Sequence, residues 1–189
     1  MQILPTWDLF ILVFFAIIIA YSFIIGRNST LKIIISTYIA ILTADGFGNI
    51  VDKFILSENP VIDIVTAANT GSLVILKILI FVLVIVLLAV RGSFFVATGI
   101  EKSVIVSIAT TGAFGFLSAG LIIATILVYI SGGGFMGVTA GATGIDISSN
   151  SELARMMTEN YNLWFSLPAL AFVVASFVGE KGTELDSIE

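Results

Sequence analysis

The chain has 189 residues, of which 58% are hydrophobic and 11% charged, with a formal net charge of −5 and a mean hydropathy of +1.15. A soluble domain is about half apolar and about a quarter charged, and one of this length needs a polar exterior. The composition therefore points to lipid as the solvent and, by length, to a single domain. With no Cys and no His, disulfides and thiolate chemistry are excluded, and the commonest metal ligand and general base is missing. The reading is non-enzymatic, with no cofactor and no metal. The absence of a basic tract excludes nucleic acid as a natural partner.

The N-terminal run Met-Gln-Ile-Leu-Pro-Thr-Trp-Asp lacks the basic region of a cleaved signal peptide, so the first apolar run is expected to stay as a helix. Gln2 and the lack of Cys leave no lipidation motif. A spanning helix needs about 20 mostly apolar residues. Residues 7–26 meet this, with Asp8 at the edge. Arg27-Asn28-Ser29-Thr30 reads as a polar turn. Residues 31–51 form the second candidate, interrupted by Asp45 and by Gly46-Phe47-Gly48. A loop follows with Asp52, Lys53, Glu58, Asn59-Pro60 and Asp63, where the residue before proline is pushed out of the helical region.

Residues 71–90 form the third candidate, closed by Arg91, and 93–102 read as an interfacial segment. Residues 106–130 form the fourth. Ser131-Gly132-Gly133-Gly134 breaks it, since each glycine costs about 1 kcal/mol in a helix. The Gly-, Ser- and Thr-rich stretch 135–150 reads as an irregular surface loop. Ser149-Asn150-Ser151-Glu152 matches a capping box. After it, Leu153, Met156, Met157, Tyr161 and Trp164 recur at helical spacing, as on an amphipathic helix. That helix lies either on the membrane surface or against the rest of the protein. Residues 163–178, with Pro168 inside, are short for a span and give a fifth crossing or a re-entrant turn. The fold class is thus an all-α polytopic integral membrane protein of four or five transmembrane helices plus an amphipathic interfacial helix. It occupies 1–179, with a charged tail at 180–189 expected to be disordered.

With five crossings, Arg27, Lys32, Arg91, Lys102 and Lys181 share one side, and only Lys53 and Arg155 face the other. The positive-inside rule then puts the N-terminus outside. With four crossings the tail lies outside, and Lys181 counts against that.

Charged groups within a span are functional hypotheses by default, and Asp45 and Lys77 are the two candidates. Each sits six residues from the outer end of its helix, roughly 9 Å along the axis, so both lie at similar depth. They either form an ion pair that locks two helices, with Lys77 alternatively reaching the headgroups, or serve an ion relay or polar constriction. On the fourth helix, Thr111, Gly115 and Ala119 form a small-residue stripe beside Gly112 and Gly120. Such stripes allow close backbone approach in lipid, inside one protomer or between copies. The glycines at 132–134 lack the Gly-Lys-Ser/Thr ending of a phosphate loop, and 137, 141 and 144 lack dinucleotide spacing.

Several features taken together resemble the CvpA family, the bacterial inner-membrane proteins named for colicin V production. They are Trp7-Asp8 at the start, Gly26-Arg27 at the end of the first helix, Lys32 opening the second, the Gly/Ala-rich run Thr111 through Gly120, and Ser151-Glu152-Leu153 in the polar segment beyond. The resemblance spans about residues 7–165. Gly-Arg replaces the family's Arg-Gly, and Glu101-Lys102 stands where an Asp-Arg pair is usual. The resemblance implies a multi-pass protein of the bacterial inner membrane linked to toxin production or export, with no catalytic residues to carry over. The expected partners are membrane lipids and either further copies or other membrane proteins. The expected role is a structural or accessory subunit of a membrane assembly, with a channel, pore or transporter subunit as the alternative.

Overall fold

A computed structural model describes residues 7–51, 53, 70–92, 104–135 and 151–180. All regular structure among these residues is helical: α1 (Trp7–Ile25), α2 (Arg27–Val51), α3 (Thr70–Arg91), α4 (Val104–Ile130), α5 (Glu152–Glu159) and α6 (Tyr161–Glu180). Helices α1 to α4 are each long and apolar enough to cross a membrane. The protein is an all-α polytopic membrane protein. In α6 the apolar stretch Tyr161–Ser176 is shorter.

Helix α4 is the centre of the bundle. Of its most apolar stretch 72% is buried, against 11% in α1 and 17% in α3, and it packs against every other described helix. Helix α1 runs antiparallel to it, because Ile11 packs with Ile123, Ala124 and Leu127 while Ser22, a helix length away, meets Gly115. Helix α3 runs antiparallel to α2: Lys77 lies on Gly48 near one end, and Lys32 Nζ donates to the Gly92 carbonyl at the other. The outer faces of α1 and α3, with Leu12, Ile17, Ile75, Val86 and Val90, are exposed and apolar, as lipid requires.

In such an interior every buried polar group needs a partner. Ser22, Ser36, Thr37, Thr111 and Thr125 meet this by donating to the carbonyl one turn back in their own helix. They cross the apolar layer without needing a partner helix.

The expected helix limits shift in three places. Arg27-Asn28-Ser29-Thr30, expected as a turn, is the first turn of α2. Gly26 alone makes the reversal, at φ 80, a left-handed conformation that side chains other than hydrogen disfavour. Helix α2 also continues through Asp45-Gly46-Phe47-Gly48 without interruption. The amphipathic run divides at Asn160, whose φ of −105 and ψ of 28 end α5; Leu153, Met156 and Met157 lie on α5, and Tyr161 and Trp164 on α6.

The α5 cap differs from the expected box. Its first residue, Ser149, lies outside the described residues. The cap is Ser151, whose Oγ accepts from the Ala154 N–H at 3.0 Å. Ala154 has no acceptor side chain to return the bond, and the other half comes from Asp8 on α1. Asp8 Oδ1 accepts from the Ser151 hydroxyl at 2.5 Å and from the Leu153 N–H at 3.2 Å. A carboxylate at a helix N-terminus also meets the positive end of the helix dipole. The expected interfacial segment 93–102, residues 54–69 of the expected loop and residues 181–189 of the expected tail lie outside the described residues.

Candidate functional site

The site is built from α2, α3 and the end of α4. Asp45 is 0% and Lys77 2% exposed, and Lys77 Nζ lies 3.3 Å from Asp45 Oδ1. The depth argument from sequence set the two charges at one level; the antiparallel packing of α2 and α3 brings them into contact. Glycine at position 48 makes this possible. A Cβ there would stand 2.7 Å from Lys77 Cε, so the lysine stem crosses α2 where no side chain blocks it. Gly46, two residues earlier, meets nothing.

The opposite carboxylate oxygen is closed from the end of α4. The Gly132 N–H donates to the Tyr129 carbonyl at 2.9 Å and the Gly133 N–H to the Val128 carbonyl at 2.8 Å. Gly132 has φ 79. These two bonds around a left-handed glycine form a Schellman cap, which turns the chain back on itself. Two residues later the Phe135 N–H donates to Asp45 Oδ2 at 2.6 Å. Phe135 was expected at the start of a surface loop. It is half-buried instead, because its amide serves the carboxylate and its ring fills an aromatic cluster. Residues 136–150, the rest of that expected loop, lie outside the described residues.

That cluster links the charge pair to α6. Tyr129 lies beside the Asp45 carboxylate, with its hydroxyl 3.4 Å from the Ile41 carbonyl and its ring 5.8 Å from Lys77 Nζ. A cation over an aromatic face gains further electrostatic attraction. Phe81 of α3 meets Tyr129 edge-on at 5.9 Å. Phe135 follows at 6.2 Å from Tyr129, stacks on Phe165 at 5.2 Å and meets Tyr161 at 5.8 Å. The Tyr38 hydroxyl donates to the Phe165 carbonyl. The rings form a continuous packed row from α3 to α6.

The small-residue stripe lies inside the protomer. Gly115 faces Ser22 of α1, Gly112 faces Phe23, Ala119 is fully buried and Thr111 nearly so. Gly120 receives the Trp164 indole, which would lie 2.1 Å from a Cβ at that position. Trp164 also packs on Phe15 and Phe116. Of the residues expected on the interfacial face, Met157 is buried among Ile11, Ile123 and Leu127, and Leu153 and Trp164 pack at the edge of that cluster. Met156 and Tyr161 are exposed. Helix α5 thus packs against α1 and α4.

Sequence reading missed Gly48, Tyr129, Phe135 and the Asp8–Ser151 clasp. Gly48, three residues after Asp45, is on a neighbouring face of one helix turn and could have been found by asking what makes room for Lys77. Phe135 carries no local signal, since its role rests on a backbone amide. No protein-family model, curated protein or solved structure matches the chain.

Proposed function

We propose that this protein is a non-enzymatic structural or accessory subunit of a larger assembly in the bacterial inner membrane, similar to the CvpA family, with its N-terminus outside. The observation that carries the reading is the closure of the Asp45–Lys77 pair. Its charges serve each other, the Phe135 amide and the Tyr129 ring, which is the geometry of a lock between helices. The lack of Cys and His in the whole chain supports a role without catalysis. The clustering of Arg27, Lys32 and Arg91 at the end of the bundle opposite Asp8 supports the orientation.

The test is the mass of the protein in mild detergent or lipid nanodiscs after crosslinking in native membranes. A discrete complex is expected, with copies of this chain or with another membrane protein. A monomer that crosslinks to nothing would remove the reading. Because the chain is naturally free of Cys, Ser29→Cys and Ser149→Cys can be labelled from each side to fix orientation.

A second reading, a channel or transporter subunit, draws on Asn49. Its Oδ1 is buried one turn beyond Asp45 without a hydrogen-bond partner among the described residues, an acceptor suited to water or a permeating ion. It predicts flux into liposomes that Asp45→Asn abolishes while the fold survives.

A further inference from the structure

We propose that the strap Ser131–Phe135 is a coupling device that transmits the position of α6 to the buried charge pair, covering Asp45 and Lys77 when α6 is docked and opening them to water when it is not. The inference goes beyond the assembly reading and does not depend on it.

Phe135 has two attachments, and they belong to different parts of the molecule. Its backbone N–H is bound to Asp45 on α2. Its ring is held by Phe165 and Tyr161 on α6 and by Tyr129 on α4. The segment leading to it is Gly132-Gly133-Gly134, which has little intrinsic stiffness. Gly132 and Gly133 are spent on the cap of α4, and among the described residues no regular structure continues from that cap to Phe135. Two of the three ring contacts that place the amide over the carboxylate come from α6.

Helix α6 is held to the bundle along one face, by Trp164, Phe165 and Ala175. It is separated from α5 by the break at Asn160, and its outer face, with Leu163, Leu167, Leu170 and Val174, is exposed. Tyr38 grips the Phe165 carbonyl, one residue after the carbonyl of Trp164 that Pro168 cannot serve with an N–H. A shift of α6 carries Phe165 and Tyr161 away from Phe135, and of the ring contacts among the described residues only that with Tyr129 then holds the amide against Asp45. A carboxylate that loses one donor in a low-dielectric interior gains strongly from water.

The native pair supplies its own reporter. A water-soluble carbodiimide that reaches it activates the Asp45 carboxylate, and the Lys77 amine displaces the activated group. An amide forms between the two side chains, the carbodiimide leaves as its urea, and the protein loses one water in mass. The experiment measures the yield of the Asp45–Lys77 crosslinked peptide in full-length protein reconstituted in liposomes.

Wild type is expected to give little product. Phe135→Ala and Phe165→Ala are each expected to raise the initial rate about tenfold, the effect of losing about one aromatic contact on a local opening. Phe165→Ala added to Phe135→Ala should raise it no further. Gly115→Ala is the control, since it loosens the α1–α4 contact at Ser22 without touching α6 or Phe135, and its rate should stay near wild type. Trp164→Leu, which loosens α6 at Gly120, should raise the rate as Phe165→Ala does. A thermal melt of each variant identifies any that fail to fold; Phe165→Leu then replaces Phe165→Ala, with an intermediate rate expected. Equal rates in wild type and both Phe variants would overturn the proposal. So would multiplying effects in the double variant or a Gly115→Ala rate matching that of Phe165→Ala, because either means general loosening. So would a Trp164→Leu rate no higher than wild type, because α6 would then not hold the strap.

Discussion

Two helix pairs in this bundle solve the same problem by opposite means. Helices α1 and α4 approach through small residues, with Gly115 against Ser22, and the hydroxyls of Ser22 and Thr111 are satisfied within their own helices. Helices α2 and α3 are joined by two charges buried at 0% and 2% exposure. The first contact relies on shape and tolerates no added atoms. The second relies on mutual satisfaction and tolerates no missing partner. In lipid, where burying apolar surface gives no drive for helices to associate, both devices are required to choose one arrangement among several.

The largest effect is expected at the charged contact. Lys77→Met leaves Asp45 buried without its cation and should cost about 3–5 kcal/mol, read as a fall in the thermal midpoint in detergent. The double variant Asp45→Asn/Lys77→Met should be less destabilised than the sum of its single changes. A strictly additive cycle would mean that the two charges do not act as a unit. Next comes the shape-based contact. Gly115→Leu forces atoms into space held by Ser22 and should cost about 1–3 kcal/mol, while the same change at Gly46, which meets nothing, should be close to neutral. Equal losses at the two positions would erase the distinction drawn between them.

Two smaller effects sharpen the comparison at its edges. Asp8→Ala removes the acceptor for Ser151 and Leu153 at the start of α5 and should cost about 1 kcal/mol. Its signature is faster amide exchange confined to α5, with α2 and α3 unaffected. Arg155→Ala loses exposed pairs with Glu152 and Glu159, and should change stability by no more than about 0.5 kcal/mol.

How much of this was legible in the sequence divides along the same line. Runs of apolar residues near bilayer length located α1, α3 and α4 to within a few residues, because in lipid the hydrogen-bonding demand of the backbone leaves little choice but helix. The stacked glycines announced the end of α4, and depth counting set Asp45 opposite Lys77. What stayed hidden depends on backbone groups and on distant contacts. Gly26 reverses the chain alone, so four polar residues that resemble a turn are the first turn of α2. Asn160 divides a continuous apolar stripe: Trp164 still packs at the edge of the Met157 cluster, while Tyr161 turns to Phe135. The Phe135 amide closes the site, and an amide is present at every residue except proline. The Asp8 clasp joins residues 143 positions apart in the chain.

The single-residue connection at Gly26 also bears on how the protein enters a membrane. Helices α1 and α2 end and begin on either side of one residue, so there is no slack between them. Neither helix can take up its place while the other waits in water: the moment α2 turns into the bilayer, α1 is committed to lie beside it. Residues 7–51 are therefore a single hairpin for the purposes of biogenesis, a unit that the bilayer receives whole.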